Sequence, residues 1–144
     1  MTYPDLSVAT ILNEYFIPVQ VNVAEAEKLV EEFDAIWTPN LNILDGQKRV
    51  IYHTEGWLPP SEYAAMLITG LGHYALRKKR YQEAVSFYQE VHTKFPTSGF
   101  APAALYYLGV GKYLESHNVE DLKESWIKLQ RFYPQSSWAI RSDL

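Results

Sequence analysis

Apolar and polar positions alternate between two periods along the chain, and the change of period divides it. Leu6, Val8, Ala9, Ile11 and Leu12 fall mostly on one face of a helix of about three turns, with Asp5 placed to cap it. In "FIPVQVNV" the period drops to two: Ile17, Val19, Val21 and Val23 alternate with Pro18, Gln20 and Asn22, which predicts a strand with Pro18 near its start. Helical spacing returns in Ala26, Leu29, Val30, Phe33, Ile36 and Trp37, with Glu25, Glu27, Glu31 and Glu32 largely opposite as a solvated face. After Thr38-Pro39, the runs "LNIL" and "RVIYH" flank "DGQK". The pair Asp45-Gly46 is expected to supply the positive φ of a hairpin turn.

From Pro59-Pro60 onward only the helical period remains. One helix is predicted over 61–77, with Tyr63, Met66, Leu67, Leu71, Tyr74 and Ala75 mainly on one side, followed by others over 80–94, 99–116 and 118–131. Asn118 with Asp121 is a plausible cap for the last. This helical half repeats itself. Leu71-Gly72 recurs as Leu108-Gly109, and Pro96 as Pro134, with the accompanying pairs Phe95/Tyr133, Ser98/Ser136, Phe100/Trp138 and Ala101/Ala139. Gly72 and Ala84 would let two antiparallel helices approach, Tyr88 would fill the groove between them and Pro96 would end the second. Leu122 stands where the first copy has Ala84, so the second pair is expected to sit further apart.

The small, aromatic and turn positions Ala84, Tyr88 and Pro96 after Leu71-Gly72 resemble a tetratricopeptide (TPR) repeat, with a period longer than its usual ~34 residues. The order helix, strand, helix, "WTP", strand, turn, strand, helix resembles the later portion of a thioredoxin fold. "YFIPVQVNV", "WTPNLNILDG" and "EGWLPPSEY" look like the matching segments of thioredoxin-like proteins that carry TPR helices. The two resemblances imply an incomplete α/β thioredoxin-like sheet over residues 1–70, followed by all-α TPR-like helical hairpins over 71–144. The 61–77 helix would belong to both. They also imply that Pro39 is cis and that Trp37, Thr38 and Pro39 face an extended protein segment. The first-helix positions Tyr74, Tyr106, Tyr107 and Lys112 would line a peptide-binding groove.

Composition narrows the chemistry. The chain has 144 residues, 47% of them hydrophobic and 21% charged, enough for one domain or two small ones around a real core. Thirteen Lys+Arg against 17 Asp+Glu give a formal charge of −4, so no global field favours nucleic acid or an anionic membrane. No apolar run approaches ~18 residues and no secretory leader precedes the first helix, so the expected setting is cytoplasmic. There is no Cys, and hence no thiolate, disulfide or cysteine metal site in this chain. His53, His73, His92 and His117 are scattered without metal-ligand spacing, "GLGHYA" is no phosphate loop, and "RKKR" at 77–80 reads most simply as a solvated turn. No cofactor is expected.

Three readings remain open. The first is a redox-inactive module that binds a protein or peptide partner. The second is the C-terminal part of a thiol-disulfide oxidoreductase whose cysteines lie upstream, in a longer gene product. The third is a homodimer completing its sheet across shared edges.

Overall fold

A computed structural model describes residues 5–143; the expectations for 1–4 and Leu144 lie outside the described residues. The described residues open with helix α1, Leu6–Tyr15, whose first-turn donors on Ser7 and Val8 bond the Asp5 side chain at 2.9 and 3.3 Å. Val8 is fully buried against the long helix α3, Pro60–Arg77.

The strand expected at 17–23 does not form. Among the described residues the backbone of 17–21 makes no backbone hydrogen bond, and Ile17 and Val19 are 93% and 78% exposed. A period-two pattern names the face that a strand would bury, but a strand exists only when a neighbour takes its donors and acceptors. The helix expected over 25–37 shrinks to α2, Glu27–Glu32. It buries no residue and lacks a side-chain cap. Asp34 adopts φ 47°, and Ala35 N–H donates to Val30 O at 2.9 Å, a Schellman closure that stops the helix.

Strands β1, Asn40–Leu44, and β2, Val50–Glu55, form a two-stranded antiparallel sheet with Asn40 opposite Glu55 and Ile43 opposite Tyr52. The register shifts between Ile43 and Leu44. The positive φ of the turn falls on Lys48 (62°), not within the Asp45-Gly46 pair, because the connection is longer than two residues. Lys48 N–H donates to Asp45 O, while Asp45 Oδ1 accepts from the backbone of Gln47 and of Arg49, all at 2.9 Å. The Arg49 backbone bond leads in holding the Asp45 carboxyl below its ordinary pKa.

Helix α3 carries the structure. Residues 63–72 are buried without interruption, and Thr69 satisfies its hydroxyl on Ala65 O at 2.7 Å. Gly70 and Gly72, two positions apart, lie on opposite sides of the helix. A Cβ at Gly70 would stand 2.2 Å from Ile43 Cδ1 of the hairpin, and one at Gly72 would stand 2.5 Å from the Tyr88 ring. Helix α4, Tyr81–Lys94, therefore packs on one side while the hairpin and α1 pack on the other. The proposed boundary at residues 70/71 falls inside this helix. "RKKR" is a Schellman turn, with Lys79 at φ 58° and Arg80 N–H donating to Ala75 O at 2.9 Å.

Helices α5, Ala101–Ser116, and α6, Val119–Phe132, form the second pair, and Asn118 caps α6 through Glu120 N–H at 3.0 Å. Trp126 lies over Gly109 as Tyr88 does over Gly72; the small neighbour at that approach is Ser125, one turn beyond Leu122. The repeated turns are tied together, since Tyr133 O–H donates to Pro96 O at 2.6 Å. Glu62 accepts from Ser98 Oγ at 2.9 Å and from Gly99 N–H at 3.1 Å, anchoring the first turn to the start of α3. A short helix α7, Ser137–Arg141, unanticipated from the periodicity, ends the described chain and packs on both α5 and α6.

Gly72→Ala must displace the buried Tyr88 ring. It is expected to lower stability by about 1–2 kcal/mol even after the gain in helix propensity, as read from the urea unfolding midpoint.

Candidate functional site

Two surfaces qualify. The first follows from helix order: α3 and α5 lead the two helical pairs, α7 comes next in line, and each of the three contacts the next directly. Their shared side carries a chain of rings. Tyr52 of β2 meets His73 of α3 edge-on at 4.9 Å, His73 meets Tyr107 of α5 at 4.8 Å, and Tyr107 meets Trp138 of α7 at 5.4 Å. The Arg141 guanidinium lies 4.5 Å over the Trp138 ring. Tyr52, His73, Tyr107 and Trp138 are all half-buried.

At the base of this stripe His73 Nδ1 and Tyr88 Oη are 2.7 Å apart. Burial chiefly, with the nearby Arg77 charge, pushes the imidazole down to about 4. Burial pushes the Tyr52 phenol up to about 12 and the Tyr88 phenol higher still. His73 is therefore neutral at physiological pH and serves as a hydrogen-bonding ring among tyrosines.

The second surface surrounds the Thr38–Pro39 bond, which is cis, as the thioredoxin resemblance implies. Gln20, Val21, Asn22, Val23 and Thr38 line an open cleft of about 530 Å3. Trp37 is 70% exposed beside it.

The seven residues expected to contact a partner divide among several places. Trp37, Thr38 and Pro39 lie together on the exposed turn. Tyr107 belongs to the aromatic stripe, whereas Tyr106 turns into the helix junction, stacked on Trp126 at 4.7 Å and tilted against Trp138 at 5.2 Å. Tyr74 packs at the edge of the hairpin core with Lys78 5.6 Å from its ring. Lys112 faces Glu124 at 3.7 Å and borders a separate 360 Å3 depression with Gln82, Val85 and Glu115. Tyr52 and Arg141 carried no signal in the sequence as contacts, and His73 was legible only as one of four scattered histidines. Trp138 was visible as the repeat partner of Phe100, but its companions come from three other elements.

Among the described residues no group of three or more His, Asp or Glu is placed to hold a metal ion, and no helix is long and apolar enough to cross a membrane. Comparison with family models, with curated proteins and with solved structures gave no match.

The depressed His73 pKa sets a pH dependence. Folding favours the neutral ring, so its contribution is complete above the unfolded value of 6.5 and is lost as pH falls toward 4. The expected loss is about 2 kcal/mol at pH 5 and about 3 kcal/mol by pH 4. His73→Gln keeps an acceptor for Tyr88 and should remove most of the slope between pH 7 and 5 in urea titrations.

Proposed function

We propose that the chain is a non-catalytic protein-binding module, in which a thioredoxin-like hairpin and helix support TPR-like helical pairs. The observation that carries this reading is the partly buried stripe Tyr52–His73–Tyr107–Trp138, which runs from β2 across α3 and α5 to α7 and ends under Arg141. Rings fixed by their neighbours offer apolar contact at little cost in side-chain entropy, and a guanidinium held over indole adds preference for an acidic group. A short segment with an apolar anchor and a carboxylate suits this face. Tyr88 lies over Gly72 in the first helical pair as Trp126 lies over Gly109 in the second, which supports the TPR-like reading, and the hairpin packed on α3 supports the thioredoxin-like one. This chain carries no cysteine, so the part proposed for it is binding rather than thiol chemistry.

Selection from a displayed random-peptide library is expected to enrich apolar segments containing Asp or Glu. Arg141→Glu should weaken the selected peptides at least tenfold by anisotropy, and indifference to that charge reversal would remove the reading. Insulin disulfide reduction in dithiothreitol is expected to stay at the dithiothreitol-only rate after the protein is added.

A further inference from the structure

Two turns far apart in sequence meet at one end of the molecule. Gly70 of α3 faces Ile43 and Tyr52, whereas Arg77, about two helical turns further on, donates from Nη1 to Ile51 O at 3.0 Å. Moving along α3 toward its C-terminus therefore leads toward the start of β2. The hairpin turn 45–49 and the α3–α4 turn 77–80 consequently share that end, with Arg49 about 7 Å of extended chain from the carbonyl that Arg77 holds.

Six of the 13 Lys and Arg residues lie at 48–49 and 77–80, and all six are exposed. Asp45 and Glu83 are the only acids within 45–49 and 77–83. This end is thus strongly positive on a chain whose formal charge is −4, and the weak global field conceals a strong local one. Elsewhere Lys94, Lys112, Lys123 and Lys128 each hold a carboxylate within 4.0 Å. Arg49 is held by Asp45 at 2.8 Å, but Lys48, Arg77, Lys78, Lys79 and Arg80 have no such partner among the described residues. Apolar surface stands among these charges. Leu44 and Val50 pair across the base of the hairpin turn and are 39% and 46% exposed, so the tip has an aliphatic centre beside a cationic rim.

Geometry selects the occupant. An extended peptide needs a groove or a strand edge, and a single carboxylate needs converging donors held in place. Here the cations stand on two chain reversals at the ends of their elements, and five of the six have no fixed partner. Long stems with free charged heads, set around an aliphatic pair, suit a plane of many anions over an apolar layer.

We propose that this end docks on an anionic phospholipid surface. Leu44 and Val50 enter the headgroup boundary, and the six cations of the two turns lie against the lipid phosphates and carboxylates. The acidic α5–α6 turn, with Glu115, Glu120 and Asp121, belongs to the layer across α4 and is tilted away from the surface. The docking surface contains no residue of the aromatic stripe or of the Thr38–Pro39 turn, so it does not depend on the binding proposed for them.

The test is cosedimentation of the 144-residue chain with vesicles of mixed phosphatidylserine and phosphatidylcholine, against phosphatidylcholine alone. Binding is expected to the anionic vesicles only, and salt that shortens the Debye length to about 3 Å should release it. Lys48→Gln, Lys78→Gln and Lys79→Asn together, the last chosen for its positive φ, should weaken partition by about tenfold or more. Leu44→Thr with Val50→Thr should weaken it while preserving its salt dependence. Because the chain has no Cys, Gln47→Cys provides a single thiol for an environment-sensitive dye. Its emission should shift to the blue on anionic vesicles, whereas a dye at Glu120→Cys should not respond. Failure to sediment with anionic vesicles, equal partition onto neutral ones, indifference to the lysine substitutions, or a shift at 120 instead of 47 would overturn the proposal. So would saturable, salt-sensitive binding of polyglutamate or of a single-stranded oligonucleotide with the vesicles left unbound, because the occupant would then be an acidic protein or a nucleic acid.

Discussion

The whole structure depends on burying α3 from two sides at once. A helix whose residues 63–72 all lose contact with water needs apolar partners around its full circumference, and no single neighbour can supply them. The hairpin and α1 meet it on the Gly70 side, while α4 and, through it, the second helical pair meet it on the Gly72 side. Each glycine removes the Cβ that would otherwise hold its neighbour away. The sheet-bearing and helical parts are consequently joined by a continuous helix rather than by a linker. Ile11, Phe95 and Phe100 touch both core clusters and reinforce the junction.

That arrangement also places the aromatic stripe. Tyr52 reaches His73 because β2 lies against α3, and His73 reaches Tyr107 because α5 follows α3 across the same face. The stripe is therefore a product of both halves. Its members are separated by as many as 86 positions in the chain, and only the stacking of elements makes them adjacent. The neutral imidazole at its base fits the same account: surrounded by Tyr52, Tyr88 and Tyr107 and close to Arg77, a charged ring would lose hydration without gaining a carboxylate.

The opposite condition holds at 16–39. Its apolar residues are patterned for burial, yet α3 is already covered and the segment reaches no second layer. Leu29, Ile36 and Trp37 accordingly stand exposed along with Ile17 and Val19. β1 follows directly in the chain and, among the described residues, pairs only with β2. Unpaired backbone and unburied apolar surface coincide here, which distinguishes this region from apolar residues scattered singly over a protein surface.

Local physics determined much of what is seen. The helical periods, the caps at Asp5 and Asn118, the hairpin runs and the repeated Leu-Gly and Pro landmarks were all legible in the sequence. Each depends on bonds or packing within a few residues, or on a pattern that occurs twice. Among the candidate contacts, the Trp37-Thr38-Pro39 turn could be read because its three members are contiguous. Tertiary structure decided the rest. Whether 17–23 becomes a strand depends on a neighbour's hydrogen bonds, and how far α2 extends depends on having something to pack against. Tyr106 and Tyr107 are consecutive in sequence but separated by the ~100° turn of a helix, so one enters the α6 and α7 junction and the other joins His73. Sequence specifies which side chains could serve a surface; the packing of α3, α5 and α7 determines which of them remain on it.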